Sequence, residues 1–180
     1  MLVKAAMVLL ARITVVIYHP EAVPEREMAR AESLAGGLMR LAGVEIQWRR
    51  ATPADLYPRA AEVPLHLLDQ RPPFADPDAC GYAVLMQESS YAGVSYRAAR
   101  DAAATLEVEP STVLAAAIVH ELGHILLASR EHTAAGPMAA HLGRRDIEAA
   151  RRGEFRFSHD QARRMRDEVA RRLGIATMPR

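Results

Sequence analysis

His120-Glu-Leu-Gly-His124 sets two imidazoles four residues apart with a carboxylate between them. On an α-helix, residues i and i+4 stand one above the other, so both rings can aim a nitrogen at a single point. Zinc takes imidazole nitrogen at about 2.0–2.1 Å. Glu121 is turned by about 100° from His120, which puts it beside such a metal rather than on it. There a carboxylate can take a proton from water held by the ion. Residues 113–119 are apolar throughout, so the helix is read as buried. Two histidines and a carboxylate are costly on a buried helix unless something satisfies them. The plain alternative is a pair of hydrogen-bonded core histidines.

A catalytic zinc site takes three protein ligands and keeps one position for water. His132, eight residues after His124 and past the expected helix end near Ser129, is the nearest candidate. Glu131 is the neighbouring alternative, and His141 is a spare. Thr133-Ala-Ala-Gly-Pro-Met138 reads as a tight turn whose thioether can pack beneath the ligands as an apolar floor. Gly123 lowers helix propensity, which points to close packing at that position.

These residues need elements to hold them. Ile13-Thr-Val-Val-Ile-Tyr18 is a short β-branched run and predicts a buried strand. Pro24 suits a helix start, and apolar residues from Met28 to Ala42 recur at three- and four-residue steps until Gly43, a C-terminal cap. Val44-Glu-Ile-Gln-Trp48 alternates like a half-exposed strand. The opening is therefore strand, helix, strand, with the two strands parallel. Residues 63–68 offer a third strand, 70–80 a Pro- and Asp-rich loop, and 82–86 and 91–96 two more strands. Residues 97–106 predict a helix, and Glu109-Pro110-Ser111 opens the long apolar one through Leu127. Ser158-His-Asp-Gln161 is a capping box that starts a last helix through about Leu173.

Composition limits what such a site could serve. Half of the 180 residues are hydrophobic and a quarter charged, enough for a packed core. The 23 Lys and Arg nearly balance 22 Asp and Glu, a net charge of +1. No basic surplus exists for a run of phosphates, so nucleic acid is not an expected partner. The lone Cys80 excludes an intramolecular disulfide framework and a multi-cysteine zinc cluster. Lys4 followed by seven apolar residues resembles the start of a signal peptide, but Arg12 interrupts it. No segment offers the roughly 18 consecutive apolar residues of a membrane span, so stable membrane insertion is not expected. The chain is read as soluble, with export left open.

The pattern H-E-L-G-H-x-L-L-x-x-x-x-H-x-x-x-G-x-M over residues 120–138 resembles the metzincin group of zinc metallopeptidases. It is most similar to small bacterial zincin-like proteins. The likeness extends to Val44-Glu-Ile-Gln-Trp48, Tyr91-Ala-Gly-Val-Ser-Tyr-Arg97, Asp146-Ile-Glu-Ala-Ala, Gly153-Glu-Phe-Arg-Phe157 and Gln161-Ala, and so to most of residues 12–173. It implies a zincin-like α/β (α+β) fold: a mixed twisted sheet over a buried catalytic helix, and a C-terminal helix after a methionine turn. It implies Zn²⁺ on His120, His124 and His132, Glu121 as general base, Met138 as the methionine-turn residue, and no further cofactor. It also implies that an extended substrate lies along an edge strand, here within residues 82–96, where Tyr91 or Tyr96 could donate to an oxyanion. Two departures stand out. Leu127 occupies the position where metzincins carry a glycine, and the third histidine comes two residues late.

The expectation is a zinc-dependent metallopeptidase acting on a peptide or protein, with residues 12–175 as one catalytic domain. Residues 1–11 would be a tail or signal remnant and 176–180 a second tail. Nothing in the chain fixes its oligomeric state. Two competing expectations are a non-catalytic zinc-binding protein and a closed four-ligand site with His141 as the extra ligand.

Overall fold

Residues 11–55, 59, 61–76, 78–86 and 89–175 are described by a computed structural model. β1 (Ala11–Tyr18) is the β-branched run, and it buries Ile13, Val15, Val16 and Ile17. α1 (Glu25–Leu41) follows Pro24 and buries Met28, Ala31, Ala35, Leu38 and Met39, the periodicity of one helix face. It closes on Gly43 at φ +79°, the left-handed conformation that glycine adopts without steric cost. A Cβ there would sit 2.8 Å from Cδ of Arg166, whose guanidinium donates to the Ala42 carbonyl at 2.9 Å.

β2 (Val44–Arg50) returns parallel to β1. β3 (Glu62–Leu68) lies parallel on the other side of β1, and β5 (Tyr91–Ser95) runs parallel to β3. β4 (Gly81–Val84) is antiparallel to β5 and ends the sheet, whose order is β2-β1-β3-β5-β4. Pro64 is tolerated inside β3 because pairing with β5 begins only at Leu65.

α2 (Tyr96–Leu106) is capped by Ser95, whose hydroxyl accepts from the Ala98 N–H at 3.2 Å. α3 (Pro110–Leu127) is the apolar helix. It is as long and apolar as a membrane span, but α1, α2, α5, β4 and β5 enclose it, and every residue from Ser111 to Leu127 except His120 is buried. α5 (His159–Arg172) begins at the expected capping box: Ser158 Oγ accepts from Gln161 N–H at 3.2 Å, and Gln161 Oε1 accepts from Ser158 N–H at 2.9 Å. This mixed α/β arrangement, a five-stranded mixed sheet with helices around one apolar α3, agrees with the expected class.

Three boundaries differ from expectation. Ala11, read as tail, is the first residue of β1; residues 1–10 and 176–180 lie outside the described residues. β4 stops at Val84 rather than Met86, because the Ser90 hydroxyl accepts from Met86 N–H at 3.0 Å and donates to its carbonyl at 2.9 Å. The ladder cannot use a backbone already engaged in a turn. α4 (Arg144–Arg151) was not anticipated as a helix. It starts where Asp146 accepts from the Gly143 N–H at 3.0 Å, and it buries Ile147 and Ala150.

Candidate metal centre

α3 places His120 and His124 one turn apart, and the chain beyond it supplies a partner for each ring. His120 Nδ1 lies 2.7 Å from the Pro137 carbonyl, and His124 Nδ1 lies 2.7 Å from the Ser129 carbonyl. A carbonyl can only accept, so each Nδ1 carries the proton and donates, leaving both Nε2 atoms as bare lone pairs. Those two atoms face each other at 3.0 Å. Bare lone pairs at that distance repel unless a proton or a cation lies between them. Burial, reinforced by His124 and His132, pushes His120 down to about 4, which disfavours a shared proton at neutral pH. Burial also lowers His124. Tetrahedral zinc ligands at 2.0–2.1 Å from the ion stand about 3.3 Å apart, close to what the two nitrogens present. The residues therefore fit a divalent metal.

His132 joins them. Its ring stacks on His120 with centroids 5.3 Å apart and meets His124 edge-on at 5.0 Å. One ligand nitrogen from each histidine lies within 4.8 Å of the others, and the set could hold a metal ion. Among the described residues no other group of three or more such side chains converges in this way; Glu131 and His141 do not belong to it.

One turn brings this about. Thr133 N–H donates to the Met138 carbonyl at 2.7 Å, Thr133 and Ala139 form a parallel bridge, and Gly136 takes φ +80°. The segment that aims the Pro137 carbonyl at His120 thus also carries His132. Met138 is buried beneath α3 against Gly123, where a Cβ would overlap its sulfur and lie 3.0 Å from the Phe157 ring. The close packing expected at Gly123 is present.

The end of α3 leads into the segment that carries His132. α3 stays helical through Leu127 and turns at Ala128, in the left-handed region at φ 47°. The helix thus ends where expected, just before Ser129, and its turn is made without glycine. Arg164 of α5 donates to the Leu127 carbonyl at 2.9 Å, satisfying one acceptor that the helix end leaves free.

Glu121 is 5% exposed, lies against β4 at Gly81 and stands outside the three-histidine set. Its carboxylate rests on Gly81, where a Cβ would be 2.8 Å from Oε1. Burial pushes this carboxyl up to about 8, and a neighbouring cation would favour its charged form.

Two cavities open around the site. One of about 190 Å³ is mostly apolar and runs between α3 and α4, past Leu106, Val113, Ala117 and Ile147. The other, about 430 Å³, follows β4 and is lined by Phe74, Tyr82 and Arg130 together with the three histidines. Tyr91 and Tyr96, weighed as oxyanion donors, line neither cavity. Tyr91 instead packs edge-on against His66 and Tyr82. His159 is exposed at the α5 cap, and His66 stacks on Tyr18 at 4.7 Å, both away from the cluster.

The chain matches no protein-family profile and no curated protein. Among solved structures it is similar to archaemetzincin from Methanopyrus kandleri, with a TM-score of 0.48 and 15% identity over 96% of this chain and 99% of that one. The chemistry of the site is read from its own geometry.

Gly81 and the carbonyls of Pro137 and Ser129 contribute to the site but were not among the residues singled out from sequence. A carbonyl is the same in every residue, so its sequence carries no mark of this role. Gly81 precedes a strand, where a glycine is unremarkable unless its neighbour across the fold is known.

Proposed function

We propose that this chain is a zinc-dependent metallopeptidase, with His120, His124 and His132 holding the metal and Glu121 as general base. One observation carries the reading: two imidazoles, His124 buried and His120 half-buried, are each fixed through Nδ1 to a carbonyl and turn bare Nε2 atoms on each other at 3.0 Å, and Glu121 lines the same cavities. Zinc bound there would supply Lewis acidity, polarising a peptide carbonyl and acidifying water. Glu121 takes the proton from the attacking water and passes it to the amide nitrogen as the C–N bond breaks. Its buried seat on Gly81 keeps that carboxylate off the metal and free for proton transfer.

A peptide substrate is supported by the sheet edge. Among the described residues β4 is paired on one side only, with β5, and Gly81, Tyr82, Ala83 and Val84 line the wider cavity. An extended chain can add to such an edge through main-chain hydrogen bonds. The motif's resemblance to metzincins, and to small bacterial zincin-like proteins in particular, supports the same reading.

Zinc content by elemental analysis and turnover of a quenched fluorescent peptide library test it together. Wild type is expected to hold about one zinc per chain and His132→Ala to lose most of it. Glu121→Gln should keep the zinc and lose turnover by about 100-fold or more. Unchanged turnover in Glu121→Gln would overturn the mechanism. Full zinc in His132→Ala would transfer the third ligand to Glu131 or His141. Zinc without turnover in wild type would leave a non-catalytic zinc-binding protein.

A further inference from the structure

We propose that His141 is a catalytic residue: its imidazole donates a hydrogen bond to the scissile carbonyl oxygen as that oxygen becomes negative. The inference rests on the peptidase reading above and assigns that site a residue outside the metal cluster and the general base.

The position comes from how the two cavities meet. Both are lined by His120, Glu121, Asp78, Gly81, Ala140 and His141. A chain running from one cavity to the other would pass the shared residues His120 and Glu121, a metal ligand and the general base in the peptidase reading, so on that reading the bond to be cut lies there. Asp78 and Gly81 come from the segment that leads into β4, and Ala140 and His141 from the segment after Met138. As water adds to the carbonyl carbon, the π electron pair moves onto oxygen and the water proton goes to Glu121. The new negative charge needs a donor close by.

Few junction groups can donate from a side chain. Asp78 and Glu121 as carboxylates only accept, and Ala79, which also lines both cavities, Gly81 and Ala140 have no polar side chain. His120 spends Nδ1 on the Pro137 carbonyl and turns Nε2 on His124. Arg130 and Tyr82 line the wider cavity alone. His141 remains. Its side chain is exposed, and it makes no hydrogen bond among the described residues. It also sits three residues past Met138, after a turn closed by Ala139 N–H donating to Gly136 O at 3.0 Å. The turn that sets His132 therefore also delivers His141 to the lining of both cavities.

The test compares zinc-loaded wild type with His141→Ala, His141→Phe and His141→Gln. The readouts are zinc content, kcat and KM on the quenched peptide library, and calorimetric binding of a phosphinic dipeptide, a tetrahedral oxyanion mimic. His141→Ala and His141→Phe are expected to keep one zinc, change KM little and lose kcat by about 100-fold. They should bind the phosphinic dipeptide more weakly by a similar factor, with partial rescue in His141→Gln, whose amide still donates. An unchanged kcat, a loss confined to KM, or equal phosphinic affinity overturns the proposal. So does loss of zinc, which would make His141 a ligand. If wild type binds the phosphinic dipeptide in a His141-dependent way but never turns over, the donor stands and the peptidase reading falls. No phosphinic binding by zinc-loaded wild type overturns both.

Discussion

At Gly81 a single hydrogen leaves room for the Glu121 carboxylate. A methyl group there would stand 2.8 Å from Oε1, 2.9 Å from Cγ and 2.8 Å from the Gly93 carbonyl. The Gly93 backbone is held in the β4–β5 ladder and cannot retreat, so the carboxylate must move. Gly81→Ala is expected to cost about 1–3 kcal/mol of stability by overpacking. It should also lower turnover at least about tenfold while leaving zinc content unchanged, since misplacing a reacting group by an ångström is worth factors of that order or more. Activity and metal assays on one preparation separate the two effects. Turnover equal to wild type would mean that Glu121 does not need this seat. The same local logic governs the histidines: each is useful because its second nitrogen is tied to a carbonyl, so Nε2 is left bare and oriented.

The elements that matter are α3 and the turn after it, and Gly123 is where they touch. Alanine at Gly123 would gain about 1 kcal/mol of helix propensity. Its Cβ would overlap the Met138 sulfur and stand 3.0 Å from Phe157 Cε1. Both neighbours are buried, Met138 at 1% and Phe157 at 9% exposure, so neither can swing into solvent. Overpacking of this kind costs about 1–3 kcal/mol and outweighs the propensity gain. Gly123→Ala is therefore expected to be net destabilised in urea. It should also bind zinc more weakly, because pushing on Met138 shifts the turn that carries His132 and the Pro137 carbonyl. Destabilisation with unaltered zinc affinity would show that the turn is not coupled to the site through Met138. α4 belongs to the same scale: it buries Ile147 against the apolar cavity, yet its eight residues show only two buried positions, a faint periodicity in the sequence.

Across the whole molecule, a polar network on the far side of the sheet from β4 ties the β2–β3 connection to its strands. Arg49 donates to both Asp55 oxygens at 2.8 and 2.9 Å and to Glu62 at 3.0 Å, while Thr52 donates to Asp55 through its N–H and its hydroxyl. The Arg49 hydrogen bonds, and then those from Thr52, hold the Asp55 carboxyl well below the usual carboxylate range. A depressed carboxyl contributes stability above its unfolded value, near 4, and loses it as pH falls through the folded value. The stability gap between wild type and Asp55→Asn is thus expected to be widest near neutral pH and to shrink below about pH 4. Urea midpoints from pH 7 to pH 2 read it directly, and a gap independent of pH would deny the ion pair its role. The network lies at the opposite side of the sheet from the metal site, so Asp55→Asn should leave zinc content unchanged.

Features that depend on near neighbours in the chain are legible from its residues alone. The i, i+4 spacing of His120 and His124, the apolar faces of α1 and α3, the glycine after α1 and the Ser158–Gln161 box each act within a few residues, where helix geometry alone sets who meets whom. The strand-helix-strand opening was legible for the same reason. His132 is also the third ligand that spacing and motif put first, with Glu131 and His141 as alternatives, but what brings it to the other two histidines is a turn held by Thr133, Met138 and Ala139. The tertiary structure alone decided that two backbone carbonyls would fix the imidazoles and that Gly81 would seat Glu121. Those partners are a peptide oxygen and a missing side chain, which look alike wherever they occur. Only the path of the folded chain brings them within contact distance.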